Sequence, residues 1–131
     1  MIGLVRVAGS SPNLQVIIEP LAAAETPVEV RGDYRSELIR LDGAKVRVSG
    51  TRSATNQLTV ADYTLEEIGG HVPLVGVLRA SAETVSLQPA SGAVVVLRAA
   101  PADLKAQVGA KVWVILDENG AVTGYGVIRE R

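Results

Sequence analysis

Nucleophilic, metal-assisted and redox chemistry need particular side chains in close order, and this chain of 131 residues carries few of them. It has no Cys, which removes a thiol nucleophile, a disulfide framework and any thiolate metal site. Its one imidazole, His71, follows Gly69-Gly70 in a Gly-flanked stretch, and no Gly-x-Ser-x-Gly elbow accompanies it. A Ser or Thr nucleophile needs a base oriented by a third group, so His71 reads as a solvated or turn-stabilising residue and no catalytic residue is assigned. A metal site would have to be all-oxygen. The acidic groupings Asp33 with Glu37, and Asp62 with Glu66 and Glu67, lack the alternating acids and closing Glu of a calcium loop. Gly69-Gly70 leads into Val72-Pro73 and a strand, not the helix a phosphate cradle requires. No cofactor and no metal are therefore expected, and the chain reads as non-catalytic. Arg31-Gly32-Asp33 spells an integrin-type tripeptide, which reads more simply as a Gly turn leaving a strand.

With chemistry scarce, surfaces become the candidates. There is one Trp, three Tyr and no Phe. The candidate interaction surface is Trp113, Tyr34, Tyr63, Tyr125 and Arg47. Trp113 stands out because it occupies the solvent-side position of a strand at which an earlier, similar segment carries Arg47. It is expected either to cover a neighbouring module or to present a binding surface.

That earlier segment belongs to an internal repeat. Residues 28–48, VEVRGDYRSELIRLDGAKVRV, align without gaps on residues 94–114, VVVLRAAPADLKAQVGAKVWV, with eight identities in 21 positions at an offset of 66. Upstream, Leu4-Val5-Arg6-Val7 matches Leu74-Val75-Gly76-Val77 at an offset of 70, so four extra residues are expected in the first copy near Leu21 to Thr26. The pattern predicts two modules, residues 1–72 and 73–131, the junction lying at Gly69-Gly70-His71-Val72-Pro73. A single larger sandwich sharing strands between the copies is the alternative.

Within each copy the signals follow one order. The first runs Leu4 to Val7, a Ser10-Ser11-Pro12-Asn13 turn, Leu14 to Ile18 and Pro27 to Arg31. A helical turn follows over Ser36 to Leu41, ended by Gly43, and then a strand over Ala44 to Val48 with Val46 and Val48 on one face. A polar loop is expected from Gly50 to Gln57 before Leu58-Thr59-Val60 and Tyr63-Thr64-Leu65. The second copy predicts strands over Leu74 to Leu78, Thr84 to Leu87, Ala93 to Leu97, Ala110 to Leu116 and Val122 to Ile128. It also predicts a helical turn at Pro101 to Val108 and a hairpin at Asn119-Gly120. The aliphatic, β-branched composition agrees with an all-β chain.

Five strands with one short helix between the third and fourth is the order of the oligonucleotide/oligosaccharide-binding (OB) fold. Val28-Glu29-Val30-Arg31-Gly32, the helix ending Leu41-Asp42-Gly43, and Lys45-Val46-Arg47-Val48-Ser49-Gly50-Thr51 together resemble small bacterial OB-fold proteins of unassigned function. Gly109 to Val114 matches in the second copy, with Ile115-Leu116-Asp117 replacing the Ser-Gly-Thr ending. The resemblance implies two tandem five-stranded OB-like barrels and an exported, periplasmic or cell-envelope setting; it implies no activity.

Net charge is -1, and no run of basic residues is interleaved with aromatics, so nucleic acid is not the expected partner. Met1-Ile2-Gly3 leads directly into Leu4-Val5-Arg6-Val7 without signal-segment character, and no apolar run approaches the ~18 residues of a membrane span. The expected function is a protein-interaction module: an accessory or scaffolding subunit docking on a larger complex, with peripheral membrane association through a partner. A small-ligand or carbohydrate-binding module is the alternative, and single-stranded nucleic-acid binding the third.

Overall fold

In a computed structural model the described residues are 1–9, 14–81, 84–90 and 92–130; of residue 81 the backbone alone is described. The expected turn at Ser10 to Asn13 lies outside them. The strands are β1 (Ile2–Ala8), β2 (Gln15–Pro20), β3 (Val28–Arg31), β4 (Lys45–Ala54), β5 (Gln57–Glu67), β6 (Leu74–Ser81), β7 (Thr84–Pro89), β8 (Val95–Leu97), β9 (Lys111–Leu116) and β10 (Val122–Arg129). Between β3 and β4 lies α1 (Arg35–Leu38), continued by a 3-10 turn at Ile39–Leu41, and between β8 and β9 lies α2 (Ala102–Lys105). The chain is all-β and divides into two compact units, Met1–Gly70 and His71–Arg131. Each sheet takes its five strands from one unit, so the shared-strand sandwich is not what forms.

In the first unit the order is β1-β2-β3-β5-β4, with β4 pairing back to β1 and β3 running parallel to β5. The second unit has the order β10-β9-β6-β7-β8, which is the same sequence of neighbours cut between β8 and β10. Both cores are aliphatic. Val5, Val16, Ile18, Val28, Val30, Leu38, Val46 and Val48 are buried in the first; Leu78, Leu87, Leu97, Leu104, Val112 and Val114 are buried in the second. Val46 and Val48, like Val112 and Val114, sit at alternate strand positions, which is how the period-two pattern places them on one face.

The ladders correct the repeat register. Gly3 lies opposite Pro20 and Gly76 opposite Pro89. Val5 donates its N–H to the Ala44 carbonyl and accepts from Gly43; Leu78 does the same with Ala110 and Gly109. Gly3 therefore corresponds to Gly76, 73 residues on, and not at the offset of 70 expected from sequence. The β2 to β7 offset is 69, since Pro20 and Pro89 are those opposing residues. The β3 to β8 offset is 67, because Glu29 pairs with Ile17 where Val96 pairs with Ser86. From Leu38 and Leu104 through β4 and β9 it is 66. The length differences are thus spread over three connections, not gathered near Leu21 to Thr26. The identities of Val28 with Val94 and Val30 with Val96 are coincidental: the Val94-Val95-Val96-Leu97 run has no alternation, so a one-residue slip leaves no trace in it.

A second correction concerns the polar loop expected from Gly50 to Gln57. It is strand: β4 and β5 continue as a hairpin to the Thr55-Asn56 turn, with a bulge at Ser49/Gly50. These residues read as loop because they are polar and exposed on both faces. Gly50 is required at the bulge, since a Cβ there would run into the Thr59 carbonyl.

Candidate interaction surface

Of the five residues singled out from sequence, Tyr34, Tyr63 and Arg47 belong to the first unit and Trp113 and Tyr125 to the second. Tyr34 and Tyr63 come together in the first unit, in an edge-to-face contact with ring centroids 5.4 Å apart. Tyr34 precedes α1, and Tyr63 lies on β5 opposite Val48. The Tyr63 hydroxyl donates to Glu37 Oε1 at 2.7 Å, and Glu37 is 4 % exposed. Glu37 was read as one member of a loose acidic grouping; its carboxylate is instead held inside the unit by a phenol. Tyr63→Phe is expected to destabilise the chain by about 1–2 kcal/mol, the cost of removing a hydrogen bond to a buried carboxylate. Urea denaturation at neutral pH measures it.

Tyr125 is the counterpart of Tyr63. It lies opposite Val114, as Tyr63 lies opposite Val48, and it packs partly buried against the second core. The acid corresponding to Glu37 is Asp103, which is exposed. Tyr125→Phe is therefore expected to change stability by no more than about 0.5 kcal/mol. Arg47 lies on exposed β4, with its Nε donating to Glu66 Oε1 at 3.0 Å. Glu66 is thus a strand residue whose side chain pairs with the neighbouring strand.

Trp113 replaces Arg47 at the matching ladder position, between Val75 of β6 and Gly126 of β10. Its indole covers its own sheet. A Cβ added to Gly126 would meet the ring at Nε1, at Cε2 (2.6 Å) and at Cζ2 (2.8 Å), and one added to Gly124 would lie 3.7 Å from Cζ3. Two glycines leave the outer face of β10 bare, and the half-buried indole fills that space. The signal in the sequence for this packing is the Gly124-Tyr125-Gly126 spacing opposite a large side chain. Because Trp113 is the only Trp, Gly126→Ala is expected to shift the intrinsic tryptophan emission to the red as the ring is displaced toward water. An unchanged spectrum would place the ring elsewhere.

What the sequence reading missed is an edge. On one side β8 pairs with β7 through Val85 with Leu97, Ser86 with Val96 and Leu87 with Val95. On the other, among the described residues, the pairing is a single parallel bridge just past the strand, Arg98 to Ala121, with Arg98 donating to the Gly120 carbonyl (3.1 Å) and accepting from the Val122 N–H (2.9 Å). The matching side of β3 is fully occupied by β5, with Glu29, Val30 and Arg31 parallel to Gln57, Leu58 and Thr59. The difference follows from hairpin length. β4 and β5 have 10 and 11 residues and reach past β3, whereas β9 and β10 have 6 and 8 and stop short. Beside this edge Val94 and Val96 are 50 % and 56 % exposed.

The first unit carries a shallow groove of about 450 Å³ on the corresponding face, lined by polar groups including Gln15, Glu29, Asn56 and Gln57 beside Ile17 and Pro27. Among the described residues no group of three or more His, Asp or Glu is placed to hold a metal ion. Arg31 of the Arg-Gly-Asp sequence is ion-paired to Glu29 at 2.6 Å, and Gly32 turns the chain at φ 98°. Among the described residues no helix is long and apolar enough to cross a membrane. Comparison with protein-family models, with curated proteins and with solved structures returns no match. The class that can be stated is an all-β protein of two repeated five-stranded units.

Proposed function

We propose that this chain is a non-catalytic protein-interaction module made of two tandem OB-like units, acting as an accessory or scaffolding subunit on a larger complex. The OB-like reading is supported by the order β1-β2-β3-β5-β4, the parallel β3–β5 contact and the short helix between the third and fourth strands. The observation that carries the interaction reading is the free side of β8 with Val94 and Val96 exposed beside it. Proteins normally blunt such an edge with charge, Pro or a covering element, and here apolar residues flank it. Affinity purification from the native cell followed by size exclusion tests the reading. A stoichiometric protein partner of reproducible mass is expected, and elution as a free monomer would overturn it.

The polar groove of the first unit favours a second reading, a small-ligand or carbohydrate site, because its amide side chains converge on the outer face of β2 and β3. Titration with a panel of neutral oligosaccharides, followed by amide shifts of Gln15, Glu29 and Gln57, tests it. Single-stranded nucleic acid fits that groove less well, since Glu29 lines it and no aromatic side chain does.

A further inference from the structure

The geometry points to α2 as a lid: the segment from Arg98 to Lys105 lifts off the second core while β8 stays laddered to β7, and the corresponding segment of the first unit stays shut. This inference is independent of the interaction reading above, since it concerns a motion and not a partner. The lid is held down by two things. One is Leu104, the buried residue of α2. The other is the seam to the β9–β10 hairpin, the bridge from Arg98 to Ala121, with backbone bonds of 3.1 and 2.9 Å. Where the lid leaves β8 the surface already dips, in a depression of about 230 Å³ lined in part by Val85, Leu97, Ala99 and Lys105.

The contacts that pin α1 are weakened or replaced around α2. Three residues of β3 run parallel to β5, and Glu29 donates its N–H to the Asn56 carbonyl at 2.7 Å. Glu37 of α1 is held inside by the Tyr63 hydroxyl, whereas its counterpart Asp103 is exposed. Arg35 ties α1 to the Leu14 carbonyl, and Pro101 stands in its place. Leu41 is buried in the turn after Leu38, where the second unit has the half-buried Gln107.

Backbone strain acts in the same direction. At the turn that leaves β3, Gly32 takes φ 98°, which glycine adopts freely. The same turn after β8 puts Ala99 at φ 53°. A side chain in the left-handed region carries a cost that lifting the lid releases. That strain sits one residue past the seam, at the hinge, and Gly109 at φ 94° ends the lid on its other side. Opening sets water against Leu97 and Leu104 and against Val122, which packs on the same cluster. An apolar surface that the closed unit withholds then becomes available.

Native-state hydrogen exchange on the full chain, followed amide by amide, tests the lid. The Arg98 and Val122 amides close the seam, and the Lys105 and Gln107 amides bond within the α2 turn. All four are expected to exchange through one shared opening, well before Leu78, whose amide bonds to the Ala110 carbonyl. The Glu29 and Leu38 amides of the first unit should show no such opening. Ala99→Gly should slow the four lid amides together by about two- to fivefold, because it removes the strain at the hinge. Arg98→Pro deletes one seam donor and leaves the β7 ladder, which the backbone of Val95 and Leu97 makes, intact. It should speed the other three about tenfold, and Ala99→Gly carries the test alone if that variant does not fold. Lid amides that exchange independently of one another, rates unmoved by Ala99→Gly, or an equally easy shared opening in the first unit would overturn the proposal.

Discussion

Alanine in place of Gly76 is expected to lower the unfolding free energy by about 2–3 kcal/mol, the range for forcing atoms into a closed space. In urea this is a fall in midpoint at unchanged slope. The added Cβ would lie 2.5 Å from the Gln88 carbonyl oxygen and 2.7 Å from its carbon, and neither can move without breaking the β6–β7 ladder. Gly3→Ala should behave alike, because its Cβ would strike the Glu19 carbonyl in the equivalent hairpin. The experiment also decides between two alignments of the repeat. At the sequence offset of 70, Gly76 stands where the first copy has the exposed Arg6, and alanine there would be harmless. At the structural offset of 73 it stands at Gly3, opposite a proline, and alanine is excluded. A neutral result would overturn the register of β1 against β6.

How far the sequence reveals the fold follows from where it alternates. Val46 and Val48, repeated as Val112 and Val114, are separated by Lys45, Arg47, Lys111 and Trp113, so face and strand are both readable. The Gly43 and Gly109 stops and the Leu38 and Leu104 anchors are readable for the same reason: each is a fixed local signal at a constant spacing. Legibility ends in two kinds of place. Val94 to Leu97 is apolar throughout and offers no register, so the half-exposed Val94 and Val96 look like core. Gly50 to Ser53 carries no apolar side chain and looks like loop, though it is the extension of β4 that pairs with the part of β5 lying beside β3. The candidate surface fails to emerge from the sequence because it consists of backbone left unpaired when one hairpin is shorter than its counterpart. Tyr63 and Tyr125 stay unmatched on the same account. They are 62 residues apart while their ladder partners Val48 and Val114 are 66 apart, and no gap-free alignment pairs both.

Leu104→Ala is expected to cost about 3–5 kcal/mol, at the upper end for truncating a buried leucine. Leu104 is fully buried, and it is the one buried residue of α2; the rest of that turn faces water. Its side chain joins Leu78, Leu87, Leu97, Val112 and Val114 in one cluster, so the space it vacates is walled by residues of β6, β7, β8 and β9. Those strands cannot easily close over the gap, because Leu78 and Ala110 are tied by a 3.0 Å backbone bond and Gly109 and Leu78 by one of 2.8 Å. The first unit has the same arrangement at Leu38, but there it is supported by Leu41, also buried, from the following 3-10 turn. Leu38→Ala should therefore cost less, about 2–3 kcal/mol, since Leu41 can settle toward the vacated volume. Trp113 supplies the readout, for as the only Trp its emission follows the second sheet. A Leu104→Ala chain whose tryptophan transition matches that of the unaltered protein would show that α2 is not the plug of that core. A larger loss from Leu104 than from Leu38 would mark the second unit as depending on its helix for closure that the β3–β5 ladder supplies in the first.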